Sequence, residues 1–349
     1  MIKASVLLTV ILLLSGCQTG YYLHLAGGHS RLMNEREPVD RVLAAGELEI
    51  ELAERLALTG EMLDFAEAEL ALPVGRAYRR YVALDREWVV WNLVAAPEFS
   101  LEPFSWCYPI AGCNHYRGYF DIKRAKRDAD LLRARGYQVY GGGVVAYSTL
   151  GWFADPITTP MLAGDETWIA ELLFHELAHR RFWLRGDTTF NESLATTVGR
   201  EGVRRWLVAR GETDALADIN QREQAQRTVM AMVEQTREQL RALYASDAPE
   251  QEMRERRDRI TERLREDYRE ARVDNPALAR YQRWFDGPLN NAQLNTFNDY
   301  NRWVPAFDRV LLECGGHWSC FWEQVEGLAK RNADERNQYL LARMDDRDD

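Results

Sequence analysis

The sequence contains few histidines and cysteines, no excess of basic charge, and no long apolar run beyond its first residues. Only six histidines and five cysteines occur among its 349 residues. No stretch after the N-terminus approaches the roughly 18 apolar residues of a membrane-spanning helix. The formal net charge is -10, with acidic and basic residues interspersed, so no basic stripe is available to neutralise phosphates. We therefore expect no transmembrane helix in the mature chain and no nucleic-acid partner.

The first 17 residues have the layout of a bacterial signal peptide. One positive charge, at Lys3, precedes an apolar run from Val6 to Leu14 that is too short to span a bilayer. The run ends in Ser15-Gly16-Cys17, and small residues before a cysteine resemble the lipobox of bacterial lipoproteins, whose cysteine carries the lipid. We predict a lipoprotein signal peptide over 1–17 and lipidation of Cys17. The alternative is an ordinary secretory leader with a chance cysteine.

The expected location of the mature chain follows from this leader. Residues 18–38 contain glycine and polar residues, and we expect them to form a tether. Gln18 occupies the second mature position, where aspartate would be the retention signal, so the periplasmic face of the outer membrane is expected. Contact with the membrane is then through the lipid anchor only.

The other four cysteines form two close pairs in the sequence, Cys107 with Cys113 and Cys314 with Cys320. An even number of cysteines in an oxidising compartment predicts two disulfides, for which three connectivities are possible. We favour local pairing. The alternative, a four-cysteine zinc site, is disfavoured because the spacing within each pair is wider than the tight spacing of structural zinc knuckles.

Residues 39–349 are expected to form one mainly α-helical domain of the α+β class. Hydrophobic residues make up 46% of the chain, which is enough for a sizeable core. Charged and aliphatic residues recur at helical spacing between 38 and 72, and this pattern predicts two helices broken near Gly60. A further helix is expected at 76–93.

A small sheet and a helical hairpin complete the predicted fold. The clearest strand signal lies at 136–150, with Gly141-Gly142-Gly143 between its two extended halves. A highly charged helical hairpin at about 212–273 is expected to be an insertion that supports the fold, covers the cleft or binds a protein partner.

The segment His175-Glu176-Leu177-Ala178-His179 has the H-E-x-x-H pattern, within a helix expected at 166–184. Residues at positions i and i+4 lie on one face of a helix, so both imidazoles can reach one metal ion. Glu176 lies beside them and can accept a proton from a water molecule that zinc has activated. The spacing therefore predicts one zinc ion per chain and a glutamate general base. Two histidines held only by hydrogen bonds are the alternative.

Catalytic zinc usually has three protein ligands, so a third ligand is needed. Phe182 and Arg185 stand where a metzincin has glycine and histidine, which excludes that class. Asn191-Glu192-Ser193-Leu194-Ala195 resembles the N-E-x-x-A motif of gluzincins, and we take Glu192 as the third ligand. Asp187 is the second candidate and His317 the third. Glu192 could instead be a first-turn glutamate favoured by the helix dipole.

A peptide substrate needs a docking strand and an oxyanion donor. Many zincins bind a peptide along an edge strand before the zinc helix, and residues 143–150 occupy that place. Tyr147 is then the candidate oxyanion donor, although it could equally be a packed strand residue. The three glycines at 141–143 could permit close approach of the substrate or form a turn.

Several segments of the chain share features with one family. They are Trp106-Cys107 to Cys113, Tyr116-Arg117-Gly118-Tyr119-Phe120, Ala146-Tyr147-Ser148-Thr149-Leu150-Gly151-Trp152-Phe153, the His175–His179 helix and Asn191-Glu192. Together they resemble the zinc aminopeptidase family found among bacterial lipoproteins. The resemblance covers most of the mature chain and implies a zinc peptidase of the gluzincin type. The expected strand before the zinc helix, Gly143-Val144-Val145-Ala146-Tyr147, offers no glutamate for a substrate amine, so Glu166 or Glu171 would have to supply that anchor.

These observations predict a zinc-dependent metallopeptidase of the cell envelope with a zincin-like core. Its expected partner is a peptide substrate, and the hairpin is a candidate site for a protein partner. Two other functions fit parts of the sequence. One is a non-catalytic envelope scaffold with structural zinc, and the other is a zinc amidase acting on cell-wall peptides.

Overall fold

The computed structural model describes residues 19–108, 112–146 and 148–345. The predicted leader, its Cys17 and the neighbouring Gln18 lie outside the described residues, as does Tyr147. None of the helices in the described ranges combines the length and apolar character needed to cross a bilayer.

Helices form most of the structure and are accompanied by small sheets, so the predicted mainly helical α+β class is confirmed. The first helix, α1, includes residues 19–34. The other helices are α2 (Val39–Ala45), α3 (Ile50–Glu69), α4 (Ile122–Ala134), α5 (Glu166–Arg181), α6 (Thr188–Arg210), α7 (Thr213–Tyr244), α8 (Glu250–Asp274), α9 (Gln282–Phe285), α10 (Asn291–Asn301), α11 (Val304–Glu313), α12 (Trp318–Ala329) and α13 (Ala333–Asp345). The strands are β1 (Glu37–Pro38), β2 (Arg80–Val82), β3 (Val90–Pro97), β4 (Trp106–Tyr108), β5 (Gly112–Asn114), β6 (Tyr116–Tyr119), β7 (Tyr137–Val144) and β8 (Ile157–Thr158).

The main sheet has the order β6-β3-β7, and both pairings are antiparallel. Leu93 of β3 lies opposite Arg117 on one side and Gly141 on the other. A second sheet has the order β1-β2-β8, and β4 and β5 form a separate hairpin. In the described residues β7 is an edge strand, but it includes only residues 143 and 144 of the segment 143–150 that was expected to receive a peptide.

Two helix predictions near the N-terminus are wrong. Gly60 lies inside α3, and the break occurs instead at Gly46, which caps α2 in the left-handed conformation with φ 67°. The helix expected at 76–93 is absent, since this segment contains β2 and the beginning of β3. Its β-branched and aromatic residues are compatible with a strand, and pairing with β6 and β7 makes β3 the central strand of the sheet.

The segment expected to be a tether at 18–38 is helical over residues 19–34 and packs on the protein. Tyr21 and Leu32 are buried, at 8% and 4% exposure. The Tyr21 hydroxyl donates a hydrogen bond of 3.0 Å to the Gly118 carbonyl, and the Arg117 guanidinium lies 3.7 Å from the Tyr21 ring centroid. The tether prediction is wrong because this segment contains apolar and aromatic groups that the sheet buries.

The three glycines at 141–143 lie within one continuous strand, β7, and form no turn. A Cβ atom on Gly141 would come within 2.7 Å of the Trp91 ring nitrogen, and one on Gly143 within 2.8 Å of Trp88. These two glycines therefore make room for two tryptophans. The strand itself ends at Val144, earlier than the expected end at 150.

The predicted helical hairpin is present as α7 and α8, which contact each other and are joined by a five-residue loop. Its buried face includes Val229, Val233 and Leu240 from α7 and Leu264 and Tyr268 from α8. The first helix of the hairpin also contacts α6. The hairpin is therefore packed into the fold and forms part of the wall described next.

Candidate metal centre

Helix α5 carries the H-E-x-x-H residues and is fixed at its first turn by Asp165. The Asp165 carboxylate accepts a hydrogen bond of 2.8 Å from the Trp168 backbone N–H, which satisfies a donor that the helix leaves free. The apolar face of the helix packs into the main core, where Leu173 and Leu177 are 1% and 0% exposed. The helix is therefore held along one side, and the histidines lie on a rigid element.

Helix α6 crosses α5 closely because it has two glycines, Gly199 and Gly202, at the contact between the helices. A Cβ atom on Gly199 would lie 2.8 Å from the Glu171 carbonyl oxygen and 3.4 Å from the His175 Cβ. A Cβ atom on Gly202 would lie 2.7 Å from the Phe174 ring. These contacts are shorter than normal packing allows, so the two glycines determine how near α6 can approach the histidines.

Asn191 positions the start of α6 against the loop that follows α5. Its side-chain oxygen accepts a hydrogen bond from the Leu184 N–H and its side-chain nitrogen donates one to the Leu184 carbonyl, each 2.7 Å long. Asn191 is only 1% exposed. The adjacent residue, Glu192, is thereby directed toward the two histidines.

The structure brings His175, His179 and Glu192 together. One carboxylate oxygen of Glu192, Oε2, lies 3.4 Å from the Nε2 atom of each histidine. The candidate ligand atoms of the three residues all lie within 4.8 Å of one another. Two imidazoles and one carboxylate at this separation match the donor set of a three-ligand catalytic metal site.

The environment of Glu192 is consistent with a metal ligand. The residue is 2% exposed, and its Oε2 atom has no hydrogen-bond partner among the described residues. Burial acts to raise the pKa of this carboxyl, but His179 and His175 outweigh it and lower the pKa well below its usual range. A buried carboxylate that stays ionised with one oxygen unsatisfied is the arrangement expected where a cation binds.

Glu176 is half-buried beside this cluster and lines the same cleft. Burial raises its pKa to about 7, and the charges of Glu192 and Asp155 act in the same direction while His175 opposes them. A carboxyl with a pKa near neutrality can both accept and release a proton at physiological pH.

The cluster lies in a cleft of about 740 Å³. One wall includes Ile219, Arg222 and Glu223 of α7, and another includes Val144 at the end of β7. The end of β7 therefore lies beside the metal-binding residues. The cleft also contains Asn114, which is 6% exposed and whose side-chain oxygen has no hydrogen-bond partner in the described part of the chain.

Two tyrosines at the cluster were not predicted from the sequence as site residues. The Tyr116 hydroxyl lies 3.5 Å from Oε1 of Glu192, and the Tyr300 ring stacks on His175 with centroids 6.0 Å apart. Burial, followed by the nearby charges of Glu192 and Glu176, raises the pKa of Tyr116 well above its usual value. Tyr116 belongs to the Tyr-Arg-Gly-Tyr segment noted above, whereas no local motif marks Tyr300.

A hydrogen-bonded pair outside the cleft holds both tyrosines in place. His115 Nδ1 lies 3.0 Å from Asp299 Oδ1, and Thr189 donates a hydrogen bond of 2.6 Å to the same oxygen. His115 directly precedes Tyr116, and Asp299 directly precedes Tyr300. This pair therefore fixes the beginning of β6 to α10 and sets the positions of the two phenols.

Other residues considered as ligands lie elsewhere. Asp187 caps α6 by accepting a hydrogen bond from the Phe190 N–H and forms an ion pair of 2.6 Å with the buried Arg336. His317 precedes α12 and does not line the cleft. The structure therefore brings neither of these second and third candidates to the cluster.

The two candidates for an acidic substrate anchor differ in position. Glu166 is exposed at the first turn of α5 and does not line the cleft, whereas Glu171 lines it one turn before His175. The Glu171 carboxylate lies 3.9 Å from the Arg200 guanidinium. Tyr147, the predicted oxyanion donor, lies outside the described residues.

Both predicted disulfides pair locally, Cys107 with Cys113 and Cys314 with Cys320. The first joins β4 to β5, whose residue Gly112 packs against the loop between α5 and α6. A Cβ atom on Gly112 would lie 2.6 Å from the Gly186 backbone nitrogen. This disulfide hairpin therefore supports the loop that connects the two helices of the cluster.

The fold and the cluster define a class, a mainly helical α+β protein with a buried two-histidine, one-glutamate group suited to a metal ion. Residues 20–340 match the model of a family described as "Putative aminopeptidase". The match spans most of the chain, and the protein belongs to this family. No curated protein and no solved structure matches the chain.

Proposed function

We propose that the protein is a zinc-dependent metallopeptidase. The observation that carries this proposal is the approach of His175, His179 and Glu192 to one point, with Glu176 beside them. Family membership supports a peptidase activity. A set of two histidines and one glutamate is characteristic of catalytic zinc, which keeps one further position open.

His175, His179 and Glu192 would hold the zinc ion. When bound, zinc supplies Lewis acidity that polarises the substrate carbonyl and lowers the pKa of a water molecule. Glu176 accepts a proton from the attacking water and transfers it to the departing amine of the substrate. Burial raises the pKa of this carboxyl in the metal-free chain, which makes Glu176 a stronger proton acceptor than an exposed glutamate.

Tyr116 and Tyr300 are the proposed donors to the oxygen that becomes negative during attack. The raised pKa of Tyr116 keeps its hydroxyl protonated, so it remains a donor at neutral and mildly alkaline pH. Both side chains are attached to segments that the His115–Asp299 pair holds together. Fixed donors of this kind stabilise developing charge without reorganising during the reaction.

Glu171 and Asn114 are proposed to bind the substrate. The side-chain oxygen of Asn114 is buried without a partner in the described residues and can accept a hydrogen bond from a peptide N–H. Glu171 offers a carboxylate to a free α-amine at the same cleft. An amine bound there would give amino-terminal specificity, which is the activity that the family description names.

The leader sequence supports a location in the cell envelope with a lipid on Cys17. Two disulfides are compatible with such an oxidising compartment.

The proposal is tested by measuring zinc in protein lacking residues 1–17. Metal content is compared among the wild type, Glu192→Ala and the matched cleft variant Glu171→Gln. About one zinc per chain is expected in the wild type and in Glu171→Gln, with a large loss in Glu192→Ala. A folded wild type that takes up no zinc when supplied with it would disprove the proposal.

Activity is then measured on a panel of short peptides with free or blocked amino termini. Hydrolysis that requires the free amine and weakens in Glu171→Gln supports the aminopeptidase specificity. Equal hydrolysis of both sets would support a peptidase activity but contradict the proposed binding of the substrate amine by Glu171.

A further inference from the structure

A second cavity, which we call the arginine groove, lies on the other side of the cleft wall. Its volume is about 1070 Å³, larger than that of the cleft. It is formed by α6, α7, α10, α11 and α13. The two cavities share the side chains of Arg200, Glu223, Gln226 and Asn301. Arg200 and Gln226 both donate hydrogen bonds to the Asn301 side-chain oxygen, which closes the wall between the cavities.

The charges that line the arginine groove are unbalanced. Eight arginines face four acidic residues, and no lysine or histidine contributes to the lining. This balance is opposite in sign to the net charge of the whole chain, which is -10. A concave site whose lining carries an excess of positive charge raises the local concentration of anions.

Arg237 supplies a buried cation to this groove. Arg237 is 4% exposed, and its Nη1 atom donates a hydrogen bond of 2.7 Å to Asn295. Its Nε atom has no hydrogen-bond partner among the described residues. The nearest carboxylate, that of Glu234, lies 3.4 Å away and forms a closer pair of 2.8 Å with Arg241.

A second cation, Arg302, stands near Arg237 and increases this local charge. Arg302 lies over the Trp303 ring and forms no ion pair within the described residues. Burial lowers the pKa of Arg237 to about 10, and repulsion from Arg241 and Arg302 contributes to the shift. Repulsion between the buried Arg237 and its positively charged neighbours is relieved when an anion binds between them.

The remaining lining is apolar. Met230, Val233 and Val304 line the groove together with Leu341, which is 45% exposed. A ligand that fits both features has an anionic group for the arginines and an apolar portion for this surface.

We propose that the arginine groove binds a small organic anion, such as a carboxylate, sulfonate or phosphate monoester attached to an alkyl or aryl group. The anionic group lies against Arg237 and Arg302. The site is separate from the cleft and requires neither zinc nor turnover.

Two fluorescent probes with the same ring system test this proposal on protein lacking residues 1–17. Anilinonaphthalene sulfonate carries the anion, and phenylnaphthylamine lacks it. The sulfonate is expected to bind more tightly than the neutral probe, with an affinity that falls as salt is added. Equal affinity for the two probes would overturn the proposal.

Substitutions of the groove arginines test where the sulfonate probe binds. Arg302→Gln changes an exposed residue and is expected to weaken sulfonate binding roughly tenfold while leaving the neutral probe unaffected. If circular dichroism shows that Arg237→Gln keeps its native helix content, this variant should weaken sulfonate binding more than Arg302→Gln does. If Arg237→Gln does not fold, the result for Arg302→Gln alone decides the test. Arg256→Gln, at an exposed position of α8 outside the groove, is the control. Unchanged sulfonate affinity in Arg302→Gln would place the probe elsewhere and refute the site.

Discussion

Two carboxyl groups of the candidate centre have pKa values that their surroundings move in opposite directions. Burial raises the pKa of Glu176 to about 7. The two histidines overcome the effect of burial at Glu192 and lower its pKa. One group is thus suited to exchange protons and the other to remain an anion. Paired carboxyl groups with separated pKa values are a recognised sign of distinct roles in one site.

Replacing the proposed base separates proton transfer from metal binding. Glu176→Gln keeps the size of the side chain but removes its ability to accept a proton. We expect peptide hydrolysis to fall by at least about 10²-fold while zinc content stays that of the wild type. Steady-state kinetics and metal analysis on the same preparation provide the measurement. Full activity in this variant would show that Glu176 is not the base.

Replacing a proposed oxyanion donor should reduce the rate with little effect on substrate binding. Tyr116→Phe removes the hydroxyl that lies 3.5 Å from Glu192. A loss of about 10²-fold in kcat is expected with zinc content unchanged, because the donor acts on charge that develops in the transition state. Tyr137→Phe, which changes a tyrosine packed on Phe104, is the matched control. An equal loss in both variants would point to a general effect on folding.

Asp155, a buried carboxyl near Glu176, predicts a pH dependence of stability. Burial raises its pKa from 3.8 to about 6, although Thr149 donates hydrogen bonds to it from its backbone and hydroxyl. The folded protein therefore binds this proton more tightly than the unfolded chain does. The stabilisation is complete below pH 4 and is lost as the pH rises through about 6.

Asp155→Asn removes this ionisation, and the amide oxygen of the asparagine can still accept a hydrogen bond from Thr149. Relative to the variant, the wild type should lose up to about 3 kcal/mol of unfolding free energy between pH 4 and pH 7. Urea denaturation at the two pH values measures the difference, and the exposed Asp85→Asn is the control. A pH profile identical in the wild type and Asp155→Asn would contradict the prediction.

The closeness of α5 and α6 is the feature of the secondary-structure elements that determines the centre. Glu192 belongs to α6 and the two histidines to α5. A small increase in the distance between these helices would therefore move the Glu192 carboxylate too far from the histidines to share a metal ion with them. Gly199 faces the Glu171 carbonyl and the His175 Cβ at the crossing point. A single methyl group there must push backbone apart.

A pair of glycine substitutions tests this packing. Gly199→Ala should destabilise the protein by about 1–3 kcal/mol and weaken zinc binding, because the added methyl meets backbone at 2.8 Å. Gly60→Ala lies inside α3 with no atom within 4 Å of the added methyl. It should instead stabilise the protein by up to about 1 kcal/mol, since alanine favours the helix. Chemical denaturation and zinc titration of both variants give the comparison, and stabilisation by both would show that the helices can separate freely.

The whole molecule assembles the centre from distant parts of the chain. The helices contribute the proposed ligands, β6 and α10 contribute the tyrosines, and the hairpin helix α7 closes the cleft. A ligand bound by such an assembly stabilises the complete fold, because the unfolded chain does not hold the residues together.

Zinc should therefore raise the melting temperature of the protein lacking residues 1–17. At a free zinc concentration about a thousand times Kd, the expected gain is about 4 kcal/mol. The shift should disappear with a chelator and in His179→Ala. Magnesium, which prefers octahedral oxygen ligands, serves as the matched ion and should produce no comparable shift. An equal response to zinc in the wild type and His179→Ala would place the bound metal elsewhere.

Much of the fold and the core of the site were predictable from local sequence. The helical pattern predicted α5 and the hairpin, and the spacing of the cysteines predicted both disulfides. The prediction at 76–93 is wrong because a short run such as Val89-Val90-Trp91 fits a helix or a strand, and only its neighbours β6 and β7 decide between them. The tether prediction is wrong for a similar reason, since burial of Tyr21 depends on a sheet formed later in the chain.

The sequence by itself determined the relations within one helical turn, namely two histidines on one face of α5 and a glutamate beside them. Tertiary structure alone decided the relations between distant residues. Tyr116 meets Glu192 across 76 positions, and His115 meets Asp299 across 184. The physical reason is that helix geometry fixes neighbours within a turn, whereas contacts between distant segments depend on how the complete core packs.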